Sequence, residues 1–393
     1  MRKWRNCTLA DLGEIVGGAT PSTKNENFYG GNVAWITPKD LSTFKGRFIR
    51  HGERNITRDG LNNCSARIIP QHSILFTSRA PIGYVAIASN EVCTNQGFKS
   101  VVPNTNTDYL FLYYLLVYNR DRIENMGSGT TFKEVSGTVM KGITVSVPSE
   151  IEEQKTISRI LGSLDDRIEN NTKINHHLEQ MAQAIFKSWF VDFEPFGGVM
   201  PDDWREGTLS EIANVTMGQS PDGTSYNEDG IGTVFYQGRA EFGLRFPTRR
   251  LFTTQSKRMA AKGDVLMSVR APVGDLNVAF ESCCLGRGLA GIESNKGYQS
   301  FILYSMFALK QQLDMFNGEG TVFGSINKND MANLPVIIPT DEMLRQYEEL
   351  VNPMDAAIEA NFAESCNLQA ARDTLLPRLM SGELSIADLG VGK

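Results

Sequence analysis

Two runs of basic side chains are the clearest chemical signal in this chain. Between Arg245 and Lys262 stand Arg245, Arg249, Arg250, Lys257, Arg258 and Lys262, with no acid among them. An earlier run holds Lys39, Lys45, Arg47, Arg50, Arg54 and Arg58, interrupted only by Asp40 and Glu53. Cations at this density contact phosphates, and an arginine fork can also grip a guanine edge. A solvated loop is the plainer reading of either run, but repetition favours a surface for a polyanion. Two glycine-threonine stretches, Gly127 to Thr131 and Gly318 to Thr321, offer backbone N–H groups ahead of a short helix. Each suits a phosphate or a helix cap.

Catalytic patterns are missing. The sequence has no DPPY or NPPY tetrapeptide for amino-methyl transfer and no GxxxxGK[ST] phosphate loop. Pro201-Asp202 and Pro221-Asp222 lack the ExK partner of a nuclease, and Gly318-Glu319-Gly320 is too short a signal for a dinucleotide. The histidines His51, His72, His176 and His177 complete no metal-ligand spacing. Six cysteines, at positions 7, 64, 93, 283, 284 and 366, show no CxxC pair, which points to reduced thiols without metal. The chain is expected to catalyse nothing alone and to bind no cofactor.

The elements that carry these residues occur twice. Trp4, Leu9, Leu12 and Pro21 recur as Trp204, Leu209, Ile212 and Pro221, displaced by 200, and Lys39 and Arg239 keep that offset. Arg79-Ala80-Pro81-Ile82-Gly83 recurs as Arg270-Ala271-Pro272-Val273-Gly274 at an offset of 191, which holds through Gly127/Gly318, Thr130/Thr321 and Pro148/Pro339. Such self-similarity marks a duplicated architecture. Within each copy, Ser73 to Thr77 with Val85 to Ala88, and Asp264 to Ser268 with Leu276 to Phe280, read as hairpins around a proline turn. Tyr109 to Met126 and Tyr298 to Phe316 read as apolar helices ending at glycine. Strands Ile143 to Val147 and Pro335 to Ile338 follow.

After each copy comes a long helical pattern. From Glu152 to Phe193 the apolar residues Ile157, Leu161, Leu164, Ile168, Leu178, Ala182, Ile185 and Trp189 form one seam. Tyr347, Val351, Met354, Ile358, Leu368, Leu375 and Leu379 form its counterpart, with Ile168/Ile358 and Leu178/Leu368 displaced by 190. Asn171, Asn175, Asn361 and Ser365 fall inside the seams, where amides must pair and so fix register. The two helices are expected to pack antiparallel and to give a pseudo-twofold molecule. A helix of about 38 residues spans roughly 57 Å, against about 34–36 Å for a turn of duplex.

Length and charge fit this picture. The 393 residues, 41% of them hydrophobic, suffice for two cores. The net charge of −6 is uneven: residues 1–150 carry 17 basic against 12 acidic residues, and 341–393 carry 4 against 10. Basic globular parts and acidic helices suit different partners. No run approaches the roughly 18 apolar residues of a membrane span, and no signal-peptide core is present, so a cytoplasmic location is expected.

The chain resembles the specificity subunits of type I restriction-modification systems over essentially its whole length. The resemblance rests on Pro148 through Glu153-Gln154, Ile160-Leu161 with Leu164-Asp165, Phe186-Lys187-Ser188-Trp189-Phe190-Val191-Asp192-Phe193, and Leu375-Leu376-Pro377-Arg378-Leu379-Met380-Ser381-Gly382-Glu383-Leu384. It implies an α/β (α+β) fold with two mixed α/β target recognition domains, residues 1–149 and 198–340. Long coiled-coil-like helices would occupy 150–197 and 341–393. It also implies that each domain reads half of a bipartite, asymmetric site in double-stranded DNA. The helices would set the spacer and dock two methyltransferase subunits, with restriction subunits joining the complex. S-adenosylmethionine would belong to the methyltransferase partner, and ATP and Mg to the restriction partner.

Charge and repetition single out Lys39, Lys45, Arg47, Arg79, Lys99, Thr130, Lys133, Arg239, Arg249, Arg250, Lys257, Arg258, Arg270, Arg287, Thr321 and Lys328 as candidate DNA contacts. Leu161, Leu164, Ile168, Asn171, Leu178, Ile185, Trp189, Met354, Ile358, Asn361, Leu368 and Leu375 are the candidate seam and subunit-docking residues. The second helix departs from the family pattern at Arg345-Gln346-Tyr347-Glu348, and Arg372 replaces an apolar seam residue. A non-catalytic interaction scaffold and a nuclease with an unfamiliar site remain as alternatives.

Overall fold

The computed structural model describes residues 4–129, 133–318, 324–384 and 386. Asn171–Ala363 forms one compact unit, and the chain on either side of it forms the other. Each unit therefore takes one globular copy and part of both long helices. This partition differs from one that treats copies and helices as separate domains. Four helices carry the argument: α1 (Tyr109–Tyr118), α2 (Ile151–Phe190), α3 (Gln299–Ala308) and α4 (Asp341–Met380).

The globular copy that precedes α2 is built on a sheet in the order Gly13–Gly17, Lys99–Pro103, Ile74–Ser78, Ile82–Ala88 and Phe48–Ile49. Its pairings are antiparallel except the last, where Phe48 lies parallel beside Ile87. Trp4–Thr8 pairs antiparallel with Thr144–Pro148 and brings the start of the copy to the start of α2. α1 is apolar on every side and lies against the sheet: Phe111, Leu112, Leu115 and Leu116 pack with Ile74, Phe76, Ile87 and Val101. The same core takes Ile157 and Leu161 from α2 and Leu379 and Met380 from α4.

The second copy repeats this arrangement. Ala213–Met217, Leu289–Ser294, Val265–Ser268 and Leu276–Val278 form an antiparallel sheet, and Arg205–Thr208 pairs with Pro335–Ile338. Phe301, Ile302 and Tyr304 of α3 share a core with Ala182, Phe186 and Phe190 of α2 and with Tyr347, Val351 and Ile358 of α4. The expected hairpins are present, with strands at Ile74–Ser78 and Ile82–Ala88 and at Val265–Ser268 and Leu276–Val278. The expected single helices after them are not. α1 stops at Asn119, whose side chain donates to Leu115 O (2.8 Å), and a separate turn, Arg120–Asn125, follows. α3 breaks likewise at Leu309 before Lys310–Asp314.

Both long helices run 40 residues. Acids open them, Glu152 and Glu153 in α2 and Asp341 and Glu342 in α4, where the helix dipole favours negative charge. Within each unit α2 and α4 run antiparallel. In the unit formed by the chain ends, Arg167 Nε meets Glu364 Oε1 at 3.1 Å, and Arg372 Nη1 meets Asp165 Oδ1 at 2.7 Å. In the other, Asn171 Nδ2 donates to Asn361 O (3.3 Å), Asn175 Nδ2 to Ile358 O (3.1 Å) and Asn361 Nδ2 to Asn175 Oδ1 (2.8 Å). Amide pairing of this kind works in one register only, because a slip would bury unsatisfied polar groups. Leu161 and Ile358 are buried, whereas Leu164, Ile168, Leu178, Ile185, Trp189, Met354, Leu368 and Leu375 are half-buried along the helices. Arg372 sits in the seam because Asp165 lies opposite it.

Candidate nucleic-acid interface

In each copy, sequence-distant segments meet at one edge. Ser78 N–H donates to Gly97 O (2.7 Å) and Val135 N–H to Ser78 O (3.0 Å), so the Arg79-Ala80-Pro81 turn lies between the Gln96-Gly97 loop and the chain leaving the glycine-threonine stretch. The second copy repeats both bonds, from Val269 N–H to Gly288 O (2.9 Å) and from Ile326 N–H to Val269 O (3.1 Å). Ala80-Pro81 and Ala271-Pro272 are both cis. A fourth segment closes the edge through Ala19 N–H to Thr94 O and Gln219 N–H to Leu285 O, both 2.9 Å. Its glycines are required by close approach: a Cβ on Gly18 would stand 2.1 Å from Thr94 O, and one on Gly218 2.2 Å from Gly286 O. The motifs that recur in the sequence thus recur because they build one edge.

Side chains on the two edges differ. In the first copy Glu134 lies 3.7 Å from Arg79 and 3.2 Å from Lys99, whose side chain is only 16% exposed. In the second copy Ser325 stands at the position of Glu134 and Ala290 at that of Lys99. Arg270 is exposed there, and no carboxylate of a described residue lies within ion-pair distance. Gln96 faces Thr20 in the first copy, and Arg287 N–H donates to Ser220 Oγ (3.3 Å) in the second.

Away from the edge, each copy is fastened to the helices by a tyrosine and an aspartate. Tyr114 OH donates to Asp165 Oδ2 (2.5 Å) and Tyr304 OH to Asp355 Oδ1 (2.7 Å), pairs displaced by 190. Burial, and then the neighbouring carboxylate, holds the Tyr114 phenol well above the ordinary tyrosine range. For Tyr304 burial again leads: Arg245 opposes it, Asp355 adds to it, and the value stays raised. An arginine completes each carboxylate. Arg372 comes to Asp165 from α4, but the arginine at Asp355 is Arg245, from the globular copy itself.

The caps of α1 and α3 differ in the same way. Asp108 accepts from Phe111 N–H (2.8 Å) and from Ser158 Oγ of α2 (2.7 Å). In α3 the equivalent N–H, on Phe301, donates to Glu348 Oε1 of α4 (2.9 Å). Burial pushes the Glu348 carboxyl up to about 7, with Asp355 adding to it and hydrogen bonds from Phe301 and Ser300 opposing it.

The family model for the type I restriction modification DNA specificity domain matches residues 1–180 and again residues 201–360. The chain belongs to the type I restriction-modification specificity subunits. It is 33% identical over 416 residues to the MjaIX specificity subunit of Methanocaldococcus jannaschii, covering 99% of this chain and 95% of the relative. The HindI specificity subunit of Haemophilus influenzae is 23% identical over 481 residues, covering 98% of this chain and 100% of that one. The crystal structure of a type I system S subunit from M. genitalium matches with a TM-score of 0.65 at 18% identity over 96% of both chains, a likeness of fold.

The candidate contacts of this specificity subunit sort into three groups. Arg47, expected at DNA, is instead 5% exposed: its Nε donates to Glu169 Oε1 (2.9 Å) and its Nη2 to Asp166, both on α2. Arg245, read as part of the second basic run, is 9% exposed and holds Glu179 of α2 (3.2 Å) and Asp355 of α4 (2.5 Å). These two arginines fasten the copies to the helices. Lys39, Arg239, Arg249 and Arg250 are exposed but paired with Glu53, Asp275, Glu281 and, for Arg250, both Glu228 and Glu241. Lys45, Lys133, Lys257, Arg258, Arg270, Arg287 and Lys328 are exposed, with no ion pair to a described residue. Thr130 and Thr321 lie outside the described residues.

The sequence reading missed Tyr114, Asp165, Tyr304, Asp355 and Glu348. The constant offset of the two Tyr–Asp pairs was available as a signal; the cap supplied by Glu348 left none. Among the described residues, no group of three or more His, Cys, Asp or Glu is placed to hold a metal ion, and no helix is long and apolar enough to cross a membrane.

Proposed function

We propose that this chain is the sequence-reading component of a DNA-modifying complex, each globular copy contacting one half of a bipartite, asymmetric duplex site. The observation that carries this reading is the repeated edge: the same backbone scaffold presents Arg79 and Gln96 in one copy and Arg270 and Arg287 in the other, and Lys133 of the first copy is matched by Gly324 in the second. A common scaffold with different side chains suits two readers of different bases, since base edges are distinguished by donor and acceptor pattern. Exposed cations with no ion pair to a described residue, such as Lys257 and Arg258, supply phosphate contacts, which position the protein without reading sequence. α2 and α4 set the spacer between half-sites, and they dock two methyltransferase subunits, which carry S-adenosylmethionine. Restriction subunits, which carry ATP and Mg, join that assembly in the cytoplasm.

The test is to exchange residues 1–149 for the equivalent segment of a relative and to map methylated positions in the DNA of cells carrying the system. One half of the modified site should change and the other should stay. A change in both halves, or in neither, refutes modular reading. Methylation with no sequence preference would favour a scaffold role instead.

A further inference from the structure

The two buried arginines occupy the same place in the two copies. Arg47 O accepts from Ile87 N–H (2.7 Å), and Arg245 O accepts from Val278 N–H (2.9 Å). Ile87 and Val278 are equivalent at the 191 offset, whereas Arg47 and Arg245 are displaced by 198. Each arginine is thus anchored by its backbone beside the same sheet strand and extends its guanidinium onto the long helices. Arg47 reaches Gly162 O (3.5 Å), Asp166 and Glu169 on α2 alone. Arg245 spans α2 and α4 through Glu179 and Asp355, with its Cζ 5.7 Å from the centre of the Tyr304 ring.

A guanidinium with two carboxylate partners in fixed geometry constrains direction as well as distance. A packed apolar face tolerates a small rotation; a fork held at both tines does not. We infer that Arg47 and Arg245 are positioning residues that fix the angle of each recognition domain on the helices, and through it the spacer length the subunit accepts. The first part stands on the geometry of each unit, and the second rests on the proposed function.

Two readouts separate them. Nitroxides at Lys257→Cys and Gln180→Cys, in a full-length chain carrying Cys64→Ser and Cys366→Ser, report the distance between the second recognition domain and α2. Arg245→Gln should broaden that distribution at least twofold, and Arg245→Lys, which keeps one ion pair and guards against loss of fold, should fall between. A width unchanged in both variants overturns the inference. The complex with methyltransferase subunits is then titrated with duplexes carrying the mapped site at its native spacer and at one base pair more or less. Arg47→Gln and Arg245→Gln should each reduce spacer discrimination about tenfold while leaving base preference within each half-site intact. Undiminished discrimination overturns the link to spacing, as does equal loss at all spacers. A broadened distance in a protein whose unaltered form ignores spacer length leaves the angular role standing and refutes the spacer reading instead.

Discussion

Glu348 gives a stability prediction with a definite sign. Its carboxyl, on α4, accepts from Phe301 N–H at the start of α3, where the helix dipole favours negative charge by at most about 2 kcal/mol. Burial outweighs that: the group moves from 4.5 to about 7. With the folded value above the unfolded one, the folded state binds the extra proton between pH 4.5 and 7, so stability is greatest below that window and falls as pH rises through it. The full difference corresponds to about 3 kcal/mol, an upper figure because the side chain is not wholly enclosed. Glu348→Gln keeps an oxygen for Phe301 N–H and removes the ionisation. It should therefore match the unaltered chain near pH 4.5 and exceed it at pH 8, by roughly 5–10 °C in Tm for a unit of about 200 residues. Thermal unfolding across this range, followed by near-ultraviolet circular dichroism, measures both. An unaltered pH slope in the variant, or a lower Tm at pH 8, would show that the carboxylate is ionised and that its charge stabilises α3.

Other consequences concern the two fastenings and the two edges. Tyr304→Phe and Tyr114→Phe each deprive a largely buried carboxylate of one donor and should cost about 1.5–3 kcal/mol in urea unfolding; a loss under 0.5 kcal/mol in both would mean that the arginines alone satisfy Asp355 and Asp165. Lys257→Ala with Arg258→Ala should flatten the slope of log affinity against log salt by about 2 if both groups lie at phosphates. Arg249→Ala with Arg250→Ala should change it less, since Glu281, Glu228 and Glu241 already hold those side chains. The reverse order would place the paired arginines at DNA. Arg270→Ala should weaken binding more than Arg79→Ala, because Glu134 lies beside Arg79 while Ser325 lies opposite Arg270, and equal losses in duplex titrations would contradict that ranking.

Much of the framework could be read from the chain because duplication supplied an internal comparison. The offsets of 200, 191 and 190 placed the proline turns, the glycine loops and the helical seams in correspondence, and the two cis-proline turns were found with the same backbone partners. Contacts that the two copies make differently escaped that comparison. Arg47 and Arg245 fall in the region where the offset is changing, so their equivalence shows only in the backbone bonds to Ile87 and Val278. Composition also places them among cations that do face solvent, and a guanidinium in a socket has the same one-letter code as one on the surface. The cap of α1 is its own Asp108 and that of α3 is Glu348, an acid some 50 residues further along the chain. No periodicity records such an exchange. The break at Asn119 was hidden for a simpler reason: Ile123 and Met126 keep a helical spacing from Leu112 and Leu116 beyond it, and the side-chain bond from Asn119 to Leu115 O that accompanies the break leaves no mark in that spacing.

Because Asn171–Ala363 lies within the sequence of the other unit, the order of synthesis imposes an order of assembly. On the ribosome, this inner segment has all its residues while the closing turns of α4 are still untranslated. The opening part of the polypeptide must meanwhile remain without Leu379 and Met380, leaving an apolar gap beside Phe111 and Leu161. A released chain ending at Ala363 should accordingly resist protease better in its inner segment than in its first 170 residues.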